Sequence, residues 1–429
     1  YGAWIKQQRD KSLHKIVVGR DARISGHMVQ ELVMQTLVGM GIHVVDLGLS
    51  TTPTVEVAVV LEKADGGIIL TASHNPKQWN ALKLLNNKGE FLNAEAGQEI
   101  LNIAENGKID FADVDALGQI TINDAYIDIH IEEILNLPLV NVEAIKKAKF
   151  KVVVDAVNST GGIAVPLLLE ALGVDPVKLY CTPNGQFPHN PEPLKEHLGD
   201  LMELVVKEKA DFGLVVDPDV DRLAFVDENG DMFGEEYTLV AVADYILQNT
   251  PGNTVSNMSS SRALRDVTNK YGCSYTASAV GEVNVVDLMK ETHAVIGGEG
   301  NGGIIYPELH YGRDSLVGIA LFLSYLAEIN SSVSELRKGY PAYFASKNKI
   351  QLTPELDVEG ILKAMEAKYS SEDINTIDGV KIDFEEKWVH LRKSNTEPII
   401  RIYTEAKSQQ AADDLAERFI NEIIEISKS

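Results

Sequence analysis

Three times along this chain a short apolar run stops abruptly at a polar loop. Gly67-Ile68-Ile69-Leu70 stops at Thr71-Ala72-Ser73-His74-Asn75-Pro76, and Phe212-Gly213-Leu214-Val215-Val216 stops at Asp217-Pro218-Asp219-Val220-Asp221-Arg222. Ala294-Val295-Ile296 runs into Gly297-Gly298-Glu299-Gly300-Asn301-Gly302-Gly303. Continuous apolar runs of this length read as strands buried on both faces, the pattern of a parallel sheet. In open α/β sheets ligands collect at the carboxyl ends of the strands. The recurrence therefore predicts three successive α/β units, a structural repeat with little residue identity, each carrying a functional loop after its third strand.

The first unit, residues 1–145, has strands at 16–18 and 44–45. Met28, Leu32, Val33 and Leu37 recur at helical spacing, and Val55, Val59 and Val60 mark a second helix. The second unit, 146–239, opens with a strand at 150–155 and continues through a helix near 165–172, a strand-like run at 177–181 and a helix over 194–209. The third, 240–342, alternates strands at 254–256 and 273–276 with helices at 263–270 and 316–329. Residues 343–429 change style. Stretches 380–384 and 388–391 alternate as an antiparallel pair does, 399–403 adds a strand, and 411–426 reads as an amphipathic helix, making an α+β unit. Length alone suggests about three domains; the patterning predicts four.

Hydrophobic residues make up 45% and charged residues 24% of the 429, a globular balance. No apolar run approaches the roughly 20 residues of a membrane span, and residues 1–15 hold no signal-peptide core. Cys181 and Cys273 fit no zinc or redox spacing, so the chain reads as cytoplasmic, without a membrane partner. A net charge of −24 removes the basic footprint that nucleic-acid phosphates require. A small anionic substrate needs only local Arg, Lys or metal. The chain opens on Tyr1 within what reads as a helix, so a preceding segment is expected.

Asp217, Asp219 and Asp221 stand two residues apart on one loop. Carboxylates about 4 Å apart repel by roughly 4 kcal/mol per pair at an effective dielectric near 20. A hard cation such as Mg²⁺ resolves this and keeps open positions for a phosphate oxygen. The EF-hand alternative finds Glu228 at position 12 but Arg222, not Gly, at position 6. Gly298 to Gly303 formally matches a dinucleotide fingerprint, but Ile304-Ile305-Tyr306-Pro307 cannot open the helix that fingerprint needs, and Glu299 would repel a phosphate. Glu299 and Asn301 suit a neutral polyol better. Residues 392–398 with Arg401 form a dense anion-binding set. Ser73, presented on a turn by Pro76, has His74, Asn75 and Lys83 close in sequence. Taken singly, each loop could be a strand-to-loop junction, a solvated turn or a tight turn. Together they describe one site in a cleft where four domains meet.

The four loops resemble, in order and across essentially the whole chain, the signature loops of the α-D-phosphohexomutase family. The resemblance implies four domains around a central cleft, three related α/β domains and a C-terminal α+β domain. It implies that Ser73 is a phosphoserine in the resting enzyme, with Mg²⁺ held by Asp217, Asp219, Asp221 and the Ser73 phosphoryl oxygen. His74, Lys83 and Arg222 complete the implied catalytic set, Lys83 for proton transfer and Arg222 for charge on the transferring group. Glu299 and Asn301 would hold sugar hydroxyls, and Arg392, Ser394, Asn395, Thr396 and Arg401 the phosphate that is not reacting. The implied reaction interconverts hexose 1- and 6-phosphates through a hexose 1,6-bisphosphate, in a monomer or homodimer. Members usually begin with a strand and an Arg-Gly loop not matched here. Asn301-Gly302-Gly303 stands where many carry Ser-Gly-His, and Pro218 where Gly is common. The Gly-Glu-Gly-Asn-Gly-Gly and Ser-Asn-Thr-Glu-Pro forms of the third and fourth loops lean toward glucosamine phosphate, leaving mannose and glucose phosphates open. A metal-assisted sugar phosphatase and a non-catalytic sugar-phosphate binder are the rival readings.

Overall fold

The computed structural model describes residues 1–9, 11, 13–107, 109–351, 357–393 and 399–427. Among them four sheets follow one another along the chain. The first holds β1 (His14–Arg20), β2 (Ile42–Leu49), β3 (Gly66–Leu70), β4 (Leu82–Leu85) and β5 (Ile120–Ile122), in the order β4-β3-β1-β2-β5. The second orders β6 (Lys151–Asp155), β7 (Asp175–Leu179), β8 (Phe212–Val216) and β9 (Leu223–Asp227) as β7-β6-β8-β9. The third orders β10 (Thr254–Asn257), β11 (Tyr275–Ser278), β12 (Ile296–Glu299) and β13 (Gly303–Ile305) as β11-β10-β12-β13.

The expected parallel pairing holds inside each sheet and fails at the same edge each time. β4 runs antiparallel to β3, β9 to β8 and β13 to β12. Each polar loop is therefore a hairpin connection between a buried parallel strand and an antiparallel edge strand, pinned by the sheet at both ends. At three to five residues, β4 and β13 in particular are too short to show a period of two. Two further boundaries move. Glu299 is the last residue of β12 rather than part of the loop, because Gly297, Gly298 and Glu299 pair with β13. The helix expected over 194–209 is a 3-10 turn, Lys195–His197, followed by an α-helix, Gly199–Glu208.

β3 and β8 are buried along their whole length, as their unbroken apolar sequences require. The helix Ser315–Ile329 is apolar on nearly all sides and accordingly interior. Its Phe322 stacks on Phe225 of β9 at 3.9 Å and meets Phe212 and Phe233 edge-on. The second and third units thus share one continuous core, joined by Ile127, Ile131 and Ile134 of the helix Tyr126–Leu135.

The fourth sheet is antiparallel: β14 (Phe344–Gln351), β15 (Asp373–Asn375), β16 (Val380–Asp383), β17 (Trp388–Lys393) and β18 (Ile399–Ala406), ordered β14-β18-β17-β16-β15. The helices Val358–Lys368 and Gln409–Ile426 close a separate core over it, with Met365, Ile382, Leu391 and Phe419 at its centre. Its contacts with the third unit include polar ones. Arg262 Nη2 donates to Asp383, Val280 N donates to Asp378, and Ser259 Oγ lies 2.9 Å from His390 Nδ1. No helix among the described residues is long and apolar enough to cross a membrane.

Candidate active site

The loop after β3 is shaped by one buried cation. Arg23 has five N–H donors, and all five find acceptors. Nε donates to Asp21 Oδ2, Nη1 to the carbonyls of Pro76 and Trp79, and Nη2 to those of Ser73 and Asn75. Asp21 also accepts from Thr71 Oγ1, which in turn accepts from Ser73 N. Burial pushes the Asp21 carboxyl up to about 6 against the pull of Arg23. Held this way, Ser73 adopts a left-handed backbone, φ +48°, and its hydroxyl donates to Asp217 Oδ2 at 2.8 Å. His74 Nδ1 lies 3.4 Å from the same hydroxyl, and burial lowers the imidazole to about 4.

The loop after β8 brings the three aspartates together, with one oxygen from each within 4.8 Å of the others and all three fully buried. Three units fix it. Thr52 N and Oγ1 donate to Asp219 O and Oδ2, Ser159 and Thr160 hydroxyls donate to Pro218 O, and Ser315 N donates to Val220 O. Val220 is held at φ +67°, a conformation a β-branched residue avoids and one that costs of order 1–3 kcal/mol.

Lys83 Nζ, on β4, donates to Asp219 Oδ2 at 2.6 Å and Asp221 Oδ2 at 2.9 Å. Burial opposes its charge, but the two aspartates outweigh burial and hold it above the usual lysine range. Asp217 is pushed well up by burial and by its two acidic neighbours; Asp221, though buried, is pulled down by Arg313, Lys83 and Arg222. Asp219 Oδ1 and Asp221 Oδ1 are buried with no hydrogen-bond partner. Two orphaned carboxylate oxygens beside a third carboxylate and a serine hydroxyl fit a hard divalent cation.

Glu299 and Asn301 line the cleft. Glu299 is fully engaged, accepting from Asn257 Nδ2 and Gly281 N on one oxygen and from Arg313 Nη1 on the other. Arg313 also donates to Glu282 and to Asp221, so one guanidinium ties the end of β12 to the aspartate loop. Gly302 sits at φ +80°, where a Cβ would overlap the Leu223 carbonyl. Arg222 Nη1 lies 3.4 Å from Glu192. Arg392 of β17 stands directly opposite Arg401 of β18. Like charges in that position repel, and Asp378 Oδ2, 3.2 Å from Arg392 Nε, offsets part of that charge. Both arginines line one cavity of about 760 Å³ with His74, Arg222, Glu299 and Asn301. Ser394, Asn395 and Thr396 lie outside the described residues.

Four side chains that sequence reading passed over organise this site, Arg23, Thr52, Arg313 and Glu282, and Thr71 of the quoted loop joins them in a role not assigned from sequence. Only Arg313, in the polar run Gly312-Arg313-Asp314 just ahead of the apolar helix, carried a local signal.

Comparison with known proteins follows the same division of the chain. Models of the phosphoglucomutase/phosphomannomutase α/β/α domains I, II and III match residues 1–110, 128–230 and 234–343, and that of the C-terminal domain matches 328–422. A Thermococcus kodakarensis protein named phosphoglucomutase/phosphomannomutase is 37% identical over 426 residues, covering 97% of this chain and 91% of its own. A Sulfurisphaera tokodaii phosphoglucosamine/phosphogalactosamine mutase is 34% identical, covering 96% and 91%. The crystal structure of a Burkholderia thailandensis phosphoglucomutase/phosphomannomutase family protein superimposes with a TM-score of 0.84 at 25% identity, covering 99% of this chain and 91% of that one.

Proposed function

Because this chain belongs to the phosphoglucomutase/phosphomannomutase family and is a hexose phosphate mutase, an isomerase, we propose that it works through a phosphoserine at Ser73 and prefers glucosamine phosphate. The carrying observation is the 2.8 Å bond from Ser73 Oγ to Asp217, one of three aspartates with orphaned oxygens among them. Asp217, Asp219, Asp221 and a Ser73 phosphoryl oxygen would hold Mg²⁺, which when bound neutralises charge on the transferring phosphoryl group. The phosphoryl–Oγ bond of Ser73 breaks as the bond to the free hydroxyl of a hexose monophosphate forms, giving a 1,6-bisphosphate. That intermediate reverses in the cleft and returns its other phosphoryl group to Ser73, so phosphate is neither gained nor lost.

Arg23 and Thr71 hold the donor in place, and positioning supplies much of the rate. Lys83, held charged by Asp219 and Asp221, and Arg222 offset negative charge around the reacting oxygens; Lys83 can give but not take a proton, and His74 is placed for the hydroxyl proton. Arg392 and Arg401, with Ser394, Asn395 and Thr396, grip the phosphate that is not reacting. Glu299 and Asn301 meet the sugar hydroxyls. Glu192, 3.4 Å from Arg222, lines the same cavity and offers the carboxylate that an ammonium substituent would meet. The name of the Sulfurisphaera relative points the same way, while that of the Thermococcus relative keeps glucose and mannose phosphates as the alternative.

Turnover of glucosamine, glucose and mannose 1-phosphates should be compared side by side, with Mg²⁺ and a trace of the matching bisphosphate. The highest kcat/KM for glucosamine 1-phosphate, with 6-phosphate as product, supports the reading. Release of inorganic phosphate alone would make the protein a hydrolase. Ser73→Ala should abolish turnover while sugar-phosphate binding persists.

A further inference from the structure

A second constellation of ligand-bearing side chains lies behind the active site, and the mutase reaction leaves it without a task. His130 of the helix Tyr126–Leu135, His310 and Asp314 converge with one ligand atom each within 4.8 Å of the others. Glu56 of the helix Thr52–Leu61 adjoins them. His130 and Asp314 are wholly inaccessible, and Glu56 and His310 nearly so. Two carboxylates and two imidazoles closed off from water require two positive charges for neutrality, supplied by two protons or by one dication.

We propose that His130, His310 and Asp314 form a second divalent-cation site, of the zinc class, at the seam between the first and third units. Both imidazoles turn Nε2 toward the same oxygen, Asp314 Oδ2, at 3.0 and 3.3 Å. Ligands 2.0–2.1 Å from a tetrahedral zinc are separated by about 3.4 Å, close to both distances. Asp314 Oδ1 is occupied separately, accepting from Leu316 N and Val317 N as the cap of the following helix, which leaves Oδ2 for the cation. The outer nitrogens each face an oxygen: His130 Nδ1 lies 3.0 Å from the Thr54 hydroxyl in a hydrogen bond, and His310 Nδ1 lies 3.2 Å from Glu56 Oε2 as an ion pair. A carboxylate or hydroxyl on the far nitrogen is how metal-binding imidazoles are oriented.

Glu56 adds a buried carboxylate whose Oε1 has no hydrogen-bond partner and whose Oε2 pairs with His310 Nδ1 at 3.2 Å. Its place is reserved by Gly312, where a Cβ would overlap Glu56 Oε2. The two rings meet edge-on, with planes 78° apart, and do not stack. A nitrogen-rich set of this kind selects zinc over magnesium, and a water completes the fourth position. Binding releases to solvent any proton the imidazoles carry on Nε2.

The site would clamp the metal loop from behind. Thr52, two residues before Thr54, holds Asp219, and Arg313, beside Asp314, holds Asp221 and Glu299.

The test uses the full chain, stripped with chelator and titrated with Zn²⁺ against a chromophoric competitor, with excess Mg²⁺ present to fill the aspartate triad. One tight equivalent is expected, retained in Asp219→Asn and lost in His130→Gln and His310→Gln. Zn²⁺ should raise the melting temperature of the unsubstituted chain and leave His310→Gln unmoved. Co²⁺ in place of Zn²⁺ should give the strong visible absorption of a tetrahedral centre; this reading needs no variant to fold. Absence of a tight equivalent, one lost only in Asp219→Asn, or a Co²⁺ spectrum without tetrahedral intensity would overturn the proposal and assign two protons to the cluster. These readouts do not depend on turnover, so they separate this proposal from the mutase reading.

Discussion

Arg23→Lys tests how the phosphoryl donor is held. The substitution keeps the charge that neutralises Asp21 but cuts five fixed donors to three rotatable ones. Five acceptors depend on that side chain, four of them carbonyls of residues 73–79. At least two must lose their partner. Each buried acceptor left unsatisfied costs about 1–3 kcal/mol, so the loop loses about 2–6 kcal/mol of local stability while the cores of the four units are untouched. A donor displaced by about 1 Å loses on the order of a hundredfold in rate. The expected outcome is a fall in kcat of about tenfold to a hundredfold, a nearly unchanged KM, and faster amide exchange confined to residues 71–81. Hydrogen exchange read by mass spectrometry alongside steady-state kinetics checks both parts. A lysine variant with kcat within twofold of the parent and an unchanged exchange pattern would refute the assignment of Arg23 as the loop's organiser.

Arg392→Ala should raise KM for the sugar phosphate by about tenfold to a hundredfold, the equivalent of one charged hydrogen bond of about 1.5–3 kcal/mol. Turnover at saturation should stay close to normal, and equal losses in kcat and kcat/KM would move its role into the transition state. Asp244 accepts from the hydroxyls of Tyr271, Tyr325 and Tyr340. Burial raises its carboxyl, but those hydroxyls and Lys270 outweigh burial and hold it below the ordinary 3.8. Its stabilisation is therefore complete above pH 3.8 and lost as pH falls through the lower folded value. Asp244→Asn should melt several degrees early at pH 7, with the gap closing below about pH 4; a gap independent of pH would contradict this. Gly302→Ala forces a Cβ against the Leu223 carbonyl at φ +80° and should lower both melting temperature and turnover, whereas normal values in both assays would show that the loop yields freely.

The buried strands β3 and β8 were legible because continuous apolar sequence admits few other readings, and Asp217, Asp219 and Asp221 because three adjacent carboxylates demand a counter-charge. The antiparallel edges were not. Leu82-Lys83-Leu84-Leu85 is too short to carry a period, and its pairing with β3 depends on where the loop returns. Arg23 was invisible for a different reason. Its partners are backbone carbonyls some fifty residues away, and carbonyls carry no sequence identity. Thr52 was hidden by distance alone, since its hydroxyl donates to the Asp219 carboxylate 167 residues along the chain. Chemistry-bearing side chains announce themselves by type and spacing; those that hold them by long-range bonds to backbone do not.

The separate core of the fourth unit has a mechanical consequence. The second and third units are welded through Phe225 and Phe322 and through Ser315 N on Val220 O, and the first is tied to them through Thr52 on Asp219. These form one anvil. Arg392 and Arg401 ride on a sheet whose interior belongs to it alone. By the proposed reaction a sugar presents first one end and then the other to the same serine, between three units joined as one block and a fourth with a core of its own. The fourth meets the third in part through polar bonds such as those of Arg262 to Asp383 and Val280 to Asp378, which can break without opening that core.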